Sequence, residues 1–163
     1  MKALSYPKIF RLTPVLIIIM FALLVSAGCS TSSDKQEKDD YLAKVNVIID
    51  RQGVMDTKLT EMFDAKNYAA LATQTASDAK SCDEMATELT SLKTPEQFAD
   101  GNKLLITSFN KFSSALNLYS DAFKSGDTMN SVMQEKLSKA VKEYDDAAAD
   151  ANEAISMINA AAK

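Results

Sequence analysis

The chain has 163 residues, with 22 acidic and 18 basic side chains and a net charge of −4. This length is typical of one domain with one core. The chain contains no His and no Trp, which excludes an imidazole base, a Ser-His or Cys-His pair and histidine-ligated haem or zinc. Because an acidic protein repels phosphate backbones, we expect no nucleic acid partner.

Residues 1–28 have the organisation of a cleaved export signal. Lys2, Lys8 and Arg11 form a basic region, and an unbroken apolar run extends from Val15 to Val25. A membrane span needs about 20 apolar residues, so this shorter run is more typical of a signal peptide. An uncleaved membrane helix and plain secretion are the alternatives. Cleavage leaves 15 basic and 22 acidic residues, a net charge of −7.

The signal ends in Val25-Ser26-Ala27-Gly28-Cys29, which resembles the lipobox of bacterial lipoproteins. Small residues occupy the two positions before the cysteine, although Ser26 stands where Leu is commoner. The resemblance covers 29 residues and implies that Cys29 becomes the first residue and carries a diacylglyceryl lipid with chains such as palmitate. Two or more acyl chains anchor a protein stably. The lipid uses up the Cys29 thiol, so we expect no disulfide with Cys82.

The same resemblance implies a location on the extracytoplasmic face of a membrane. The anchor lies in the cell membrane, or in the outer membrane if the host has one, and Ser30 resembles an outer-membrane sorting residue. No residue from Ser30 to Asp40 is apolar. We therefore predict a flexible tether over residues 29–40.

From Tyr41 onward, apolar residues recur at alternating spacings of four and three, which indicates helices. The first predicted helix ends at a turn over 64–67, and the second runs from about Tyr68 to Leu92. The first stripe is Tyr41, Val45, Ile48, Gln52, Met55, Leu59 and Met62. The second is Leu71, Thr75, Ala79 or Asp78, Cys82, Met85, Leu89 and Leu92.

The third predicted helix begins at a capping box, with Thr94 as N-cap, Pro95 at the first helical position and Gln97 completing the box. A turn over 125–127 separates it from the fourth, which runs from about Thr128 to Ala161. The third stripe is Phe98, Asn102, Leu105, Phe109, Phe112, Leu116, Tyr119 and Phe123. The fourth is Met133, Leu137, Ala140, Tyr144, Ala147 or Ala148, Ala151, Ile155 and Ile158.

Residues 41–163 therefore form, by prediction, an all-α domain of four helices. Short connections make sequential helices antiparallel, which gives an up-down-up-down four-helix bundle. The Phe-rich stripe of the third helix and the Ala-rich stripe of the fourth are complementary in size, as in a well-filled core. We interpret the Phe-rich stripe as core, with a ligand pocket as the alternative.

The search for catalytic residues gives only weak patterns. Three Ser-x-x-Lys matches have the spacing used by penicillin-binding enzymes, but the other elements of those sites are missing. Clusters of carboxylates on the second and fourth helices spread around each helix and lack a tight loop, so a solvated face is preferred to a Ca²⁺ site. The matches are Ser32/Lys35, Ser77/Lys80 and Ser108/Lys111, and the clusters are Asp83, Glu84, Glu88 and Glu143, Asp145, Asp146, Asp150, Glu153. We predict no catalytic residue, metal or cofactor.

Gln52, Asn102 and Cys82 are the remaining residues of interest. The two amides occupy apolar stripe positions, where they either fix helix pairing or line a polar cavity in the bundle. Cys82 is interpreted as a small buried hydrophobe, with a reactive thiol as the alternative.

The predicted function is a non-catalytic binding or envelope-structural role of a membrane-anchored lipoprotein. Its expected partners are the membrane, through the lipid on Cys29, and an envelope protein. The alternative is a bundle that binds or senses a small molecule between its helices, and an enzyme is the third possibility.

Overall fold

The computed structural model describes residues 32–64, 67–124 and 131–163, which contain four long helices and no strand. The helices are α1 (Ser32–Asp64), α2 (Tyr68–Ser91), α3 (Ala99–Phe123) and α4 (Ser131–Ala161). The predicted all-α class is confirmed. The signal, the lipobox with Cys29 and the predicted turn at 125–127 lie outside the described residues. Within those residues, none of the helices has the length and apolarity needed to span a membrane.

Contacts between helices show the direction of each one. The Ser120 hydroxyl of α3 donates to the carbonyl of Ala72 at 2.8 Å, and Asn102 Nδ2 donates to the carbonyl of Leu89 at 3.4 Å. The residue numbers of these partners increase along α2 while they decrease along α3, so the two helices are antiparallel. The same pattern relates α3 to α4, through Ser114–Glu143 and Lys111–Asp150, and α1 to α4, through Lys38–Ala162 and Gln52–Tyr144. The chain is an up-down-up-down bundle.

The core follows the predicted stripes closely. Every predicted stripe position of α3 and α4 is buried, and Phe109 and Phe112 supply two of the largest side chains. Burial of such a side chain contributes roughly 1.5–3 kcal/mol. In α1 the stripe is less complete, because Met55 and Met62 remain partly exposed.

The four helices are not packed equally. The backbones of α2 and α3, and of α3 and α4, approach closely, whereas α1 approaches α2 over a shorter stretch and its backbone stays largely away from α4. Side chains therefore span the space between α1 and α4. This spacing leaves room for polar groups there.

The prediction of a flexible tether up to Asp40 is wrong for residues 32–40. Helix α1 already begins at Ser32. Its first turns contact the end of α4 and the connection between α2 and α3. The Lys38 ammonium donates to the carbonyl of Ala162 at 2.6 Å, and Glu37 pairs with Lys93. These contacts, with Asp34 in the first turn, stabilise a helix in a segment that has no apolar residue.

The predicted capping box is also wrong. The chain forms a 3₁₀ turn over Glu96–Phe98 before α3, and the Thr94 hydroxyl bonds to the carbonyl of Leu92 instead of capping α3. Gln97 reaches the carbonyl of Ala161 at 3.5 Å. The 3₁₀ turn buries Phe98, whose ring stacks on Tyr41 with centroids 5.0 Å apart. Tertiary packing therefore overrides the local capping preference.

Candidate functional site

Gln52, one of the two predicted polar core residues, lies in a network that joins three helices. Its Nε2 donates to Oδ1 of Asp56 at 2.8 Å and to the hydroxyl of Tyr144 on α4 at 3.4 Å. Its Oε1 accepts from the thiol of Cys82 on α2 at 3.5 Å. Gln52 is only 4% exposed, so these protein groups satisfy an amide that would otherwise be costly to bury.

Asp56 is the centre of this network. Oδ1 of Asp56 accepts hydrogen bonds from both Gln52 and the Tyr144 hydroxyl. The side chain of Asp78 on α2 lies near enough for its charge to act on Asp56 and on Cys82. We name Gln52, Asp56, Asp78, Cys82 and Tyr144 the central polar cluster.

Both carboxylates of the central polar cluster hold protons more strongly than an exposed aspartate does. Burial raises the pKa of Asp56 to about 6, against hydrogen bonds from Tyr144 and Gln52 that lower it, and the Asp78 charge raises it further. Burial also raises the pKa of Asp78, although a hydrogen bond from Gln74 and the charge of Lys58 oppose it. Among the described residues, Oδ2 of Asp78 is buried without a hydrogen-bond partner, so the ionised form of this side chain is poorly solvated.

The hydroxyl and thiol of the cluster remain protonated at neutral pH. Burial, followed by the charge of Asp56, raises the pKa of Tyr144 well above its ordinary value. Burial, with the charges of Asp56 and Asp78, raises the pKa of the Cys82 thiol. Cys82 is fully buried, as predicted, and a thiol is much less nucleophilic than a thiolate.

Asn102, the second predicted polar core residue, has partners of its own. The Tyr41 hydroxyl donates to its Oδ1 at 3.0 Å, while its Nδ2 reaches the carbonyl of Leu89. Burial raises the pKa of Tyr41 to about 12, so the hydroxyl is a permanent donor. Tyr41 and Gln52 are separated by about 16 Å along α1. The structure therefore places the two amides in separate layers and does not bring them into one cavity.

An open depression of about 570 Å³ runs along α1 beside the central polar cluster. Gln52 and Asp56 border it, and all of its described walls belong to α1. The depression is open to solvent and is not an enclosed chamber between helices.

The Ser-x-x-Lys patterns do not form matched pairs. Ser108 is buried and donates to the carbonyl of Leu105 at 2.7 Å, whereas Lys111 pairs with Asp150 at 2.5 Å. Ser77 and Lys80 are both exposed on α2, and the side chain of Ser32 lies outside the described part of the chain.

The carboxylate clusters of α2 and α4 are distributed over the surface. Glu88 pairs with Arg51 at 2.8 Å, and Glu143 accepts a hydrogen bond from Ser114. In the described ranges, no group of three or more Cys, Asp or Glu side chains is arranged to hold a metal ion.

Sequence reasoning missed Asp56 as a member of the central polar cluster. Asp56 lies one turn after Gln52, beside the apolar stripe of α1, and the sequence analysis did not single it out. The sequence analysis gave Asp78 as an alternative to Ala79 in the second stripe, which partly indicated that its carboxylate is buried. It identified Tyr144 only as a core residue. A polar stripe residue followed four positions later by a carboxylate is the pattern that points to this cluster.

Comparisons with known proteins identify no relative. The chain matches no protein-family model, no curated protein and no solved structure. Proposals for its function therefore rest on its own residues.

Proposed function

We propose that this protein is a lipoprotein whose helical bundle makes non-catalytic contacts with another protein of the cell envelope. The observation that carries the proposal is the sequence from Val25 to Cys29, which follows a basic region and a short apolar run. A lipid on Cys29 holds the bundle at the extracytoplasmic face of the cell membrane or outer membrane. The acidic bundle then faces the aqueous space beside that membrane.

The arrangement of polar groups supports a protein-contact role over a ligand-binding one. A ligand held between the helices needs an enclosed space lined by unused polar groups. Gln52 and Asn102 instead bond to protein groups in two separate layers. The buried thiol of Cys82 and the buried hydroxyl of Ser108 are likewise engaged inside the bundle.

One side of α1 offers a surface for such contacts. Val47 and Val54 are 61% and 70% exposed, and a spacing of seven residues places them on the same side of the helix. Ala43 is exposed one turn earlier, and a side chain added at Gly53 would meet nothing within 4 Å. We name Ala43, Val47 and Val54 the outer ridge.

Metabolic labelling tests the anchor. Cells that express the full chain are grown with a fatty-acid analogue, and the labelled protein is compared with Cys29→Ser. The wild type should be labelled and recovered with membranes, while Cys29→Ser should be unlabelled and retain its signal. Equal labelling of both chains would contradict the lipid anchor.

Crosslinking in the native cells tests the protein contact. A photoreactive amino acid is placed at Val47 or Val54, with exposed Asp146 on α4 as the matched control position. Adducts of one discrete mass should form at the two outer-ridge positions and not at Asp146. The same adducts at all three positions would show that the outer ridge is not the contact surface.

A further inference from the structure

The interface that holds α1 contains two carboxylates, and one of them, Asp78, is the only charged side chain that is buried among the described residues. Asp78 is 3% exposed, and Asp56 is partly buried. Among the described residues, neither carboxylate forms an ion pair. Two such groups on neighbouring helices repel each other when both are ionised, and protonation of either one removes that repulsion.

The groups around the two carboxylates offer little positive charge. From α1, Lys58 acts on Asp78, and from α2, the charge of Asp83 adds to the negative potential at Cys82. Tyr144 of α4 is a neutral donor to Asp56. Tyr119 of α3, whose ring lies 6.3 Å from that of Tyr144, is also kept neutral because burial raises its pKa.

The backbone packing indicates that α1 is the helix whose attachment is most sensitive to ionisation of Asp56 and Asp78. Helix α3 lies close to both α2 and α4, whereas α1 has a shorter region of close approach to α2 and little to α4. The polar contacts of Gln52 and Asp56 bridge the wider space between α1 and α4. Ionisation of this layer therefore weakens the attachment of α1 more than it weakens the other three helices.

We propose that α1 is a proton-controlled helix, which docks on α2 and α4 while at least one of Asp56 and Asp78 is protonated and is released when both carboxylates are ionised. The pKa of Asp56 is raised to about 6 and the pKa of Asp78 is raised in the same direction, so both groups keep their protons to a higher pH than exposed aspartates do. Because folded-state pKa values above the ordinary value favour the folded form at low pH, docking is strongest in mild acid and weakens as the pH rises. Helices α2, α3 and α4 stay together throughout.

Release has one consequence that rests on the proposed function. Helix α1 follows Cys29 in the sequence, so an undocked α1 would become a long connection between the lipid and the other three helices. The pH of the aqueous space beside the membrane would then set how far these three helices extend from the lipid. The release itself does not depend on the lipid.

Cys82 is a native reporter of release. Its side chain is fully buried, and its thiol bonds to Gln52 of α1. When α1 leaves, the thiol becomes accessible to a maleimide. Trypsin cleavage after Lys80 and Lys93 isolates Cys82 in its own peptide, so its labelling is separable from that of any other thiol.

The experiment measures maleimide labelling of the full chain in a mild detergent between pH 5 and pH 8. Thiol reactivity itself rises with pH, so a second thiol introduced by Ser77→Cys, an exposed position in a neighbouring tryptic peptide, serves as an internal reference. The labelling rate of Cys82 divided by that of the reference should rise about tenfold or more from pH 5 to pH 8. A ratio that stays constant overturns the proposal.

Two variants test whether the carboxylates are responsible. Asp56→Asn with Asp78→Asn keeps the shape of both side chains and removes both charges, so the ratio should stay low at every pH. Asp50→Asn, at an exposed position of the same helix, should retain the wild-type rise. The same rise in the double variant would show that other groups drive the exposure of Cys82.

Hydrogen exchange of the wild-type chain separates release of α1 from global unfolding and does not depend on any variant. Protection factors are compared at pH 5 and pH 8 for all four helices. Protection should fall in α1 and persist in α3 and α4. An equal fall in all helices would mean that the whole bundle opens, which contradicts the proposal.

Discussion

Gly101 of α3 lies directly against Ile158 of α4. A Cβ atom added to Gly101 would be 2.7 Å from Cγ1 of Ile158 and 3.2 Å from the carbonyl oxygen of Ala154. Only a residue without a side chain allows the two backbones to approach this closely. The contact allows the backbones of α3 and α4 to approach closely near the start of α3 and the end of α4.

Gly101→Ala should therefore destabilise the bundle by about 1–3 kcal/mol, because the new methyl group forces α4 to move. Gly53→Ala is the matched control, since a Cβ there meets nothing within 4 Å, and it should stabilise the protein by about 0.5–1 kcal/mol. Denaturant unfolding of both variants measures the two changes. Equal effects at the two glycines would disprove the close contact of α3 and α4.

The Tyr41–Asn102 hydrogen bond provides a second prediction. Asn102→Leu should destabilise the fold by about 1–3 kcal/mol, because it leaves the buried Tyr41 hydroxyl without a partner and removes one of the two donors to the Leu89 carbonyl. Tyr41→Phe should then change little in the Asn102→Leu background. A double-mutant cycle of unfolding free energies gives the coupling between the two side chains. Additive effects would show that they act independently.

Phe112 tests the identity of the core. It is 2% exposed, and its ring meets that of Tyr144 edge to face with centroids 4.8 Å apart. Phe112→Ala should cost about 3–5 kcal/mol of unfolding free energy. Val47→Ala on the outer ridge should change the same quantity by less than about 0.5 kcal/mol, so a large loss at Val47 would place that residue in the core.

The raised pKa of Asp56 predicts that the free energy of unfolding depends on pH. Its pKa is raised from 3.8 to about 6 in the folded protein, so its favourable contribution is complete below pH 3.8 and is lost as the pH rises through about 6. The difference corresponds to roughly 3 kcal/mol. Asp56→Asn should match the wild type in stability near pH 4 and exceed it by up to roughly 3 kcal/mol at pH 7.

Chemical denaturation at several pH values checks this prediction, and the difference between the two chains cancels the titration of unrelated groups. Asp50→Asn, which removes an exposed charge, is the control and should follow the wild-type curve. A constant difference between Asp56→Asn and wild type at every pH would mean that Asp56 has an ordinary pKa.

The sequence by itself determined the helical class, the four stripes and most of the helix ends. A strict alternation of four and three places Phe109, Phe112 and Leu116 on one side of a helix, whatever the helix packs against. The predicted start of the second helix at about Tyr68 agrees with the structure, in which Asn67 caps α2 by accepting a hydrogen bond from the amide of Ala70. These are local effects, in which neighbouring residues supply the physical cause.

Only the tertiary structure decided the rest, because the deciding partners are distant in sequence. Helix α1 extends back to Ser32 through partners such as Ala162, and the capping box at Thr94 gives way to a turn that buries Phe98. In the sequence, Asp56 has the character of a solvated charge, and only the fold shows that Tyr144, 88 positions away, donates a hydrogen bond to it. The pKa of a carboxyl group depends on its burial and on the charges around it, and spacing along a chain does not specify either of these.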